Sequence, residues 1–235
     1  MEWEPLLKPA EMAEHRLIDA ILSGKFPIFS NLPGERELAE RIGVTRPTLR
    51  EVLQRLARDG WLDIQHGKPT RIRDYWRDGG LQVLAVLART PTGQSPFFVT
   101  YLLEIRVLLA PVYARQAIES SPSRVAELLL PYSELKDDPV VFAMFDWDLH
   151  IQLTQLASNP VFRFLFNGFQ ELSMNVGKQY FSFPECRQHS RSFYHDLSEC
   201  AILRSAADAE ILTHKIMVES QALWQKSQVE NHKET

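Results

Sequence analysis

Gly43, Thr45 and Pro47 punctuate the segment from Leu32 to Arg73 so closely that few folds remain open to it. Ahead of them, Glu35 to Ile42 sets Leu38, Ala39 and Ile42 on one side of a short helix, and Gly43 supplies the positive-φ residue that ends it. Thr45 is then a natural N-cap. Pro47 suits the first turn of the next helix, where its missing N–H had no partner to lose. From about Arg46 onward, Leu49, Val52, Leu53, Leu56 and Ala57 recur at i, i+3, i+4, i+7 and i+8 as a single buried stripe. Arg46, Arg50 and Gln54 fall off that stripe. After Gly60, the runs Trp61–Gln65 and Thr70–Arg73 read as two strands around the basic tip His66-Gly67-Lys68-Pro69. Two helices joined by a tight turn and followed by a hairpin make a winged helix-turn-helix.

That arrangement points to nucleic acid. The exposed first turns of the second helix carry Thr45, Arg46, Thr48 and Arg50, long donors suited to base edges and hydroxyls suited to phosphates. At the wing tip, Gly67 lets the backbone approach a sugar-phosphate chain, flanked by His66 and Lys68. The net charge of −4 does not oppose this reading. Residues 41–73 hold eight Lys or Arg against three Asp or Glu, whereas residues 76–235 hold fourteen against eighteen. A DNA surface needs a local positive patch, not a positive total.

With 235 residues the chain is long enough for two modest domains. A first helix from about Pro9 to Ser23 would complete a three-helix core with the motif, giving a DNA-binding domain over 1–74. Asp74–Gly80 reads as the interdomain connection, the linker proper being 75–80, with Gly79-Gly80 as its flexible point and Tyr75 and Trp76 to pack it down. From Leu81 to residue 229 only helical periodicity is found, broken at Pro91–Pro96, Ser120–Pro122, Asp137–Pro139, Ser158–Pro160 and Ser182–Pro184. Six or seven helices fit. Phe97–Ile118 carries Leu102, Ile105, Leu109 and Val112; Ser123–Lys136 carries Val125, Leu128, Leu129 and Tyr132; Ala206–Lys226 carries Ile211, Met217, Val218 and Trp224. The expected fold class is mainly α, a winged helix-turn-helix followed by an all-α helical effector domain, with a tail at 230–235 that frays. No apolar run approaches the ~20 residues a membrane helix needs. The start lacks the pattern of a signal peptide, and Cys186 and Cys200 offer neither a disulfide framework nor a metal spacing, so a cytoplasmic setting is expected.

Several residues in the helical half could carry chemistry. Asp146 and His150 stand four apart, so a helix projects both from one face, an arrangement used in metal ligation. Arg106 sits among apolar neighbours and needs an anion, either an acidic side chain or the phosphate or carboxylate of a ligand. Ser220 and Trp224 share a helix face with Met217, and Tyr180 ends a phenylalanine-rich segment; such a set is either core or the wall of a pocket. No G-x-S-x-G elbow and no phosphate loop is present, so an enzyme is not expected.

The run LREVLQRLARDGWLDIQHGKPT resembles the GntR family of bacterial regulators, and within it the FadR subgroup, through most of the chain. The resemblance implies DNA contacts at Glu35, Arg36, Thr45, Arg46, Thr48, Arg50, His66, Gly67 and Lys68. It implies a long-chain acyl-CoA effector held at Arg106, Tyr180, Ser220 and Trp224. It further implies a homodimer on double-stranded operator DNA, no cofactor, repression of fatty-acid degradation genes and activation of synthesis genes, with acyl-CoA releasing the protein from DNA. Gly34 and Pro47 depart from the member it resembles, which has alanine and threonine there. So do Met217, Ser173 and His150, where that member has glycine, tyrosine and phenylalanine. Regulators of the related FCD subgroup hold a metal with a D-x-x-x-H pair and two later histidines. This chain is similar at Asp146, His150 and His195, but has Met217 where the last histidine belongs and His214 three residues away, so no metal is expected. The alternative reading is a metal-assisted FCD-type sensor of a small carboxylate. A hydrolase built on Asp146, His150 and His195 is a second.

Overall fold

The computed structural model describes residues 8–87, 90, 95–167 and 169–231. The chain divides into two compact units, Met1–Leu87 and Ala88–Thr235. The first is a mainly helical bundle with a small hairpin. Helices α1 (Pro9–Leu22), α2 (Glu35–Ile42) and α3 (Arg46–Asp59) are followed by strands β1 (Leu62–Asp63) and β2 (Arg71–Ile72), then α4 (Tyr75–Asp78) and α5 (Leu81–Leu87). Helix α3 is central because its stripe Leu49, Val52, Leu53 and Leu56 is buried against Ala13, Leu17 and Ile21 of α1 and Leu38, Ala39 and Ile42 of α2. An ion pair from Arg55 to Glu14, at 2.8 Å, ties α3 to α1 at the edge of that core.

The punctuation behaves as the sequence demands. Gly43 caps α2 at φ 82° and Gly60 caps α3 at φ 100°, values that L side chains rarely adopt. The hairpin is shorter than the expected runs 61–65 and 70–73, with Leu62 opposite Ile72 and Asp63 opposite Arg71. Trp61 donates its N–H back to Leu56 O at 2.9 Å, closing the helix, while its carbonyl accepts the Arg73 N–H at 2.9 Å across the hairpin, and Lys68 N–H turns back to Gln65 O at 3.1 Å to close the tip. The other edge of 70–72 is paired as well. Leu32 N–H reaches Thr70 O at 2.8 Å and Ile72 N–H reaches Ser30 O at 2.9 Å, so the segment before α2 acts as a third rail of the wing.

Where a linker over 75–80 was expected, Tyr75 begins the short helix α4 and is buried, its ring 4.9 Å from that of Trp61. Trp76 is exposed. The first compact unit takes in α4 and α5 as far as Leu87.

The second unit is all helical among its described residues: α6 (Pro96–Ser120), α7 (Pro122–Leu129), a 3-10 turn (Leu130–Glu134), α8 (Pro139–Leu156), α9 (Val161–Phe166), α10 (Gln170–Tyr180), α11 (Pro184–Ile202) and α12 (Ala206–Asn231). Proline at 131 splits the helix expected over 123–136, since its ring cannot continue an α ladder. The long helices α6 and α12 pack along each other. The core collects Tyr113, Ala114 and Ala117 of α6, Phe142 and Leu149 of α8, Phe193, Tyr194 and Leu197 of α11, and Met217 of α12. Ile105, Ile211 and Val218, expected on buried stripes, are exposed. Helix α6 is apolar on nearly every side, so spacing alone does not single out the face that packs. Most of the expected break at 91–96, and most of the tail at 230–235, lie outside the described residues.

Candidate functional site

Two groups of residues stand out, one in each unit. In the first, Thr45 caps α3 by accepting the Thr48 N–H at 3.3 Å, and the two hydroxyls lie 2.8 Å apart. The cap fixes the first turn, so Arg46 and Arg50 project from the side of α3 opposite its buried stripe, both exposed. Glu35, at the start of α2, accepts the Arg50 Nε–H at 2.6 Å. The beginnings of α2 and α3 therefore share one surface, to which Arg36 adds an exposed cation. At the wing tip Gly67 has φ 72°, with His66 and Lys68 exposed on either side. Lys68 Nζ is parked on Gln65 Oε1 at 2.8 Å. Arg71 is engaged otherwise: its Nε–H donates to Phe29 O at 2.8 Å and its guanidinium lies over the Phe29 ring.

In the helical unit Arg106 has an acidic partner. Its Nη2 donates to Asp146 Oδ2 at 2.8 Å, and Asp146 Oδ1 accepts the Tyr194 hydroxyl at 3.1 Å. Burial by itself would push the Asp146 carboxyl up. The Arg106 charge, then His150 and the two hydrogen bonds, outweigh burial and hold it below the usual carboxylate range. Burial likewise lowers the Arg106 guanidinium, and Asp146 more than restores it. His150 sits beside this pair, 2% exposed. The Tyr113 hydroxyl lies 2.7 Å from its Nδ1, while its Nε2 has no hydrogen-bond partner and stands 3.7 Å from Asp146 Oδ1. Burial, with the Arg106 charge adding to it, drops the His150 imidazole to about 3, so it is neutral at ordinary pH.

The other expected effector residues lie on α10 and α12. The Tyr180 hydroxyl is buried without a well-formed hydrogen bond, with Ser220 and Cys186 beside it, and burial pushes it up. One turn beyond Ser220 on α12, Trp224 is fully buried with its indole N–H unpartnered. Such orphaned donors in an apolar wall are what a ligand with a few polar atoms can satisfy. His195 does not join Asp146 and His150. It is 56% exposed, beside Asp196 and the Tyr132 ring. Among the described residues no three His, Cys, Asp or Glu side chains converge as metal ligands.

Sequence reasoning named Arg106 and Asp146 separately without pairing them, and missed Tyr113 and Tyr194. Tyr113 stands seven residues after Arg106, two turns along the same face, a signal that was available. Tyr194 and Asp146 are 48 residues apart and offered none.

Comparison with known proteins also finds two parts, which meet directly after the wing. The family model "Bacterial regulatory proteins, gntR family" matches residues 9–72, and the FadR C-terminal domain matches residues 73–234. A fatty acid metabolism regulator protein of Shewanella sp. (strain MR-4) is 43% identical over 92% of this chain and 90% of its own. That of Shewanella pealeana is 43% identical over 92% and 91%. The solved structure of Lar, which controls the expression of the Listeria monocytogenes agr system, is 15% identical, covers 95% of this chain and 99% of its own, and has a TM-score of 0.63, which shows a shared fold. These relatives are regulators rather than enzymes. From its winged helix to the end of its helical unit, the chain belongs to the GntR family of bacterial regulatory proteins, in the branch that carries the FadR C-terminal domain.

Proposed function

We propose that this protein is a cytoplasmic, sequence-specific DNA-binding regulator of fatty-acid metabolism that a long-chain acyl-CoA releases from its operator. The observation that carries the DNA half is α3, which buries Leu49, Val52, Leu53 and Leu56 while Arg46 and Arg50 stay exposed beside the capped turn at Thr45. A helix so placed enters a major groove, with Glu35, Arg36, Thr48 and the tip residues His66, Gly67 and Lys68 contacting base edges or backbone around it. One such helix reads one half-site. The protein therefore acts as a homodimer on a two-fold related operator. The names of its relatives support control of fatty-acid metabolism, and the family resemblance supports the direction, repression of degradation genes and activation of synthesis genes.

The effector half rests on Arg106, Tyr180, Ser220 and Trp224. Arg106 pairs internally with Asp146, so an anionic headgroup competes with that carboxylate for the guanidinium, and the displaced pair is the point at which ligand and helix packing exchange energy. The buried hydroxyl of Tyr180 and the indole of Trp224 then meet the acyl thioester and chain. The test begins with DNA selected by the protein from a random-sequence pool. Palmitoyl-CoA should weaken binding to that DNA at least tenfold, and free CoA or palmitate should not. Trp224→Ala should keep the DNA affinity and blunt the response. If palmitoyl-CoA left wild-type affinity unchanged, the effector assignment would be wrong.

A further inference from the structure

Phe29 adopts a backbone that its side chain makes costly. It is the third residue of a turn closed by Ser30 N–H to Pro27 O at 3.0 Å, and its φ is 68°, in the left-handed region that bulky L residues rarely occupy. A glycine would hold that position without strain. Burial does not account for the phenylalanine, because the residue is 57% exposed. What its ring meets is Arg71 of the wing. The guanidinium carbon of Arg71 stands 5.2 Å from the ring centroid, and its Nε–H donates to the Phe29 carbonyl at 2.8 Å. The Phe29 N–H in turn reaches Ile72 O at 3.0 Å, which ties the turn to the strand that carries the arginine. Arg71 has an acid directly opposite it in the hairpin, Asp63, yet turns away to the other side. Asp63 accepts instead from Gln65, whose side-chain oxygen holds Lys68. Among the described residues no acceptor engages the Arg71 Nη atoms, so a planar cation lies against a ring with its terminal N–H fork unused and its charge uncancelled. Strain kept at an exposed position, in contact with a guanidinium that still lacks an anion, points to binding rather than to packing. The strand supplies the place. Arg71 follows Lys68 of the wing tip by three residues, and the rail beside it runs through Leu32 to the start of α2, where Arg36 is exposed.

We propose that Arg71 is a further DNA contact, its Nη fork taking a backbone phosphate beside the wing tip, and that Phe29 is the residue that positions it. A guanidinium fork matches two phosphate oxygens, and a ring already beneath it leaves less freedom to lose on binding. The contact rests on the DNA-binding reading given above and adds one phosphate per protomer to it. The test titrates the selected DNA and a scrambled duplex over a range of salt by fluorescence anisotropy. Arg71→Ala should weaken both duplexes by the same factor, about tenfold at low salt, and reduce the slope of log K against log salt by about 1 for each protomer bound. Phe29→Gly relaxes the turn, so its unfolding midpoint should not fall, yet DNA affinity should drop about threefold with the slope retained, since the charge remains but is no longer held. Phe29→Trp keeps a ring and should bind as wild type does. Added to Arg71→Ala, Phe29→Gly should cost nothing more. Ethylation of one backbone phosphate in each half-site should hinder wild type and leave Arg71→Ala unaffected. If Arg71→Ala equals wild type in affinity and slope, or loses both its unfolding midpoint and its preference for the selected DNA, Arg71 is structural and the proposal is overturned. If Phe29→Gly weakens DNA as much in Arg71→Ala as in wild type, Phe29 does not act through the arginine and the positioning role is overturned. A wild type that prefers no duplex at any salt would remove the DNA-binding reading itself, and this contact with it.

Discussion

Replacing Asp146 with asparagine removes one charge at nearly constant shape and strands the Arg106 guanidinium among apolar neighbours. The Arg106 side chain is 28% exposed and that of Asp146 14%, so the pair is neither bathed in water nor sealed from it. Breaking a fully buried pair costs about 3 to 5 kcal/mol and an exposed one less than about 1, which places Asp146→Asn at about 2 to 3 kcal/mol. In a unit of roughly 150 residues this lowers Tm by about 4 to 12 °C. Urea and thermal unfolding followed by near-UV circular dichroism read it directly, with an unchanged m-value showing that only stability moved. The double variant Arg106→Met/Asp146→Leu should recover most of the loss, because it removes both desolvation costs together. A loss under about 0.5 kcal/mol in Asp146→Asn would refute the pair as a structural link of this unit. Acid acts in the same direction. Asp146 titrates lower in the folded chain, so its contribution is fully present above its ordinary value of about 3.8 and is lost as pH falls below it. His150, depressed from 6.5 to about 3, makes the unfolded chain take up the extra proton first, so destabilisation already begins as pH falls through 6.5. Asp146→Asn should remove the lower part of that profile and His150→Phe the upper.

Further outcomes follow from the same geometry. Arg46→Ala should lose about 1 to 3 kcal/mol of affinity for the selected DNA at fixed salt, with folding unchanged, as a bidentate base contact would. Lys68→Ala should weaken all sequences alike and reduce the slope of log K against log salt by about 1. Thr45→Ala removes the cap of α3 and should cost about 1 kcal/mol in unfolding experiments, whereas Gly60→Ala, forced to φ 100° with its Cβ 3.4 Å from Asp78 O and Gly79 Cα, should cost about 1 to 2 kcal/mol. Elemental analysis after dialysis against a weak chelator should find little zinc or nickel; stoichiometric metal lost in His150→Ala would restore the FCD-type alternative.

Local chemistry made the DNA-binding half legible. Thr45 and Gly60 act on their own neighbours, so helix ends at 46 and 59 can be read from single residues and agree with the structure. The hairpin was overextended because Trp61 has the look of a strand residue, yet its N–H is needed to close α3. Tyr75 was expected to pack the connection down and does so, but nothing local reveals that its ring meets Trp61 across fourteen positions of sequence. In the helical half the obstacle was composition. Leu108 is 66% exposed and Ala114 buried on a helix whose apolar residues are spread around all its sides, so the hydrophobic pattern does not single out a face. Arg106 announced a need for an anion, but Asp146, forty residues on, satisfied it through tertiary packing alone.

The central claim is that one molecule couples acyl ligand and DNA, and a thermodynamic cycle tests it. Palmitoyl-CoA affinity is measured by calorimetry with and without saturating selected DNA, and DNA affinity by fluorescence anisotropy with and without saturating palmitoyl-CoA, in one buffer. Linkage requires that the two factors be equal, and the account predicts that both weaken by the same tenfold or more. Two factors of one would mean that ligand and DNA bind independently, and would contradict it.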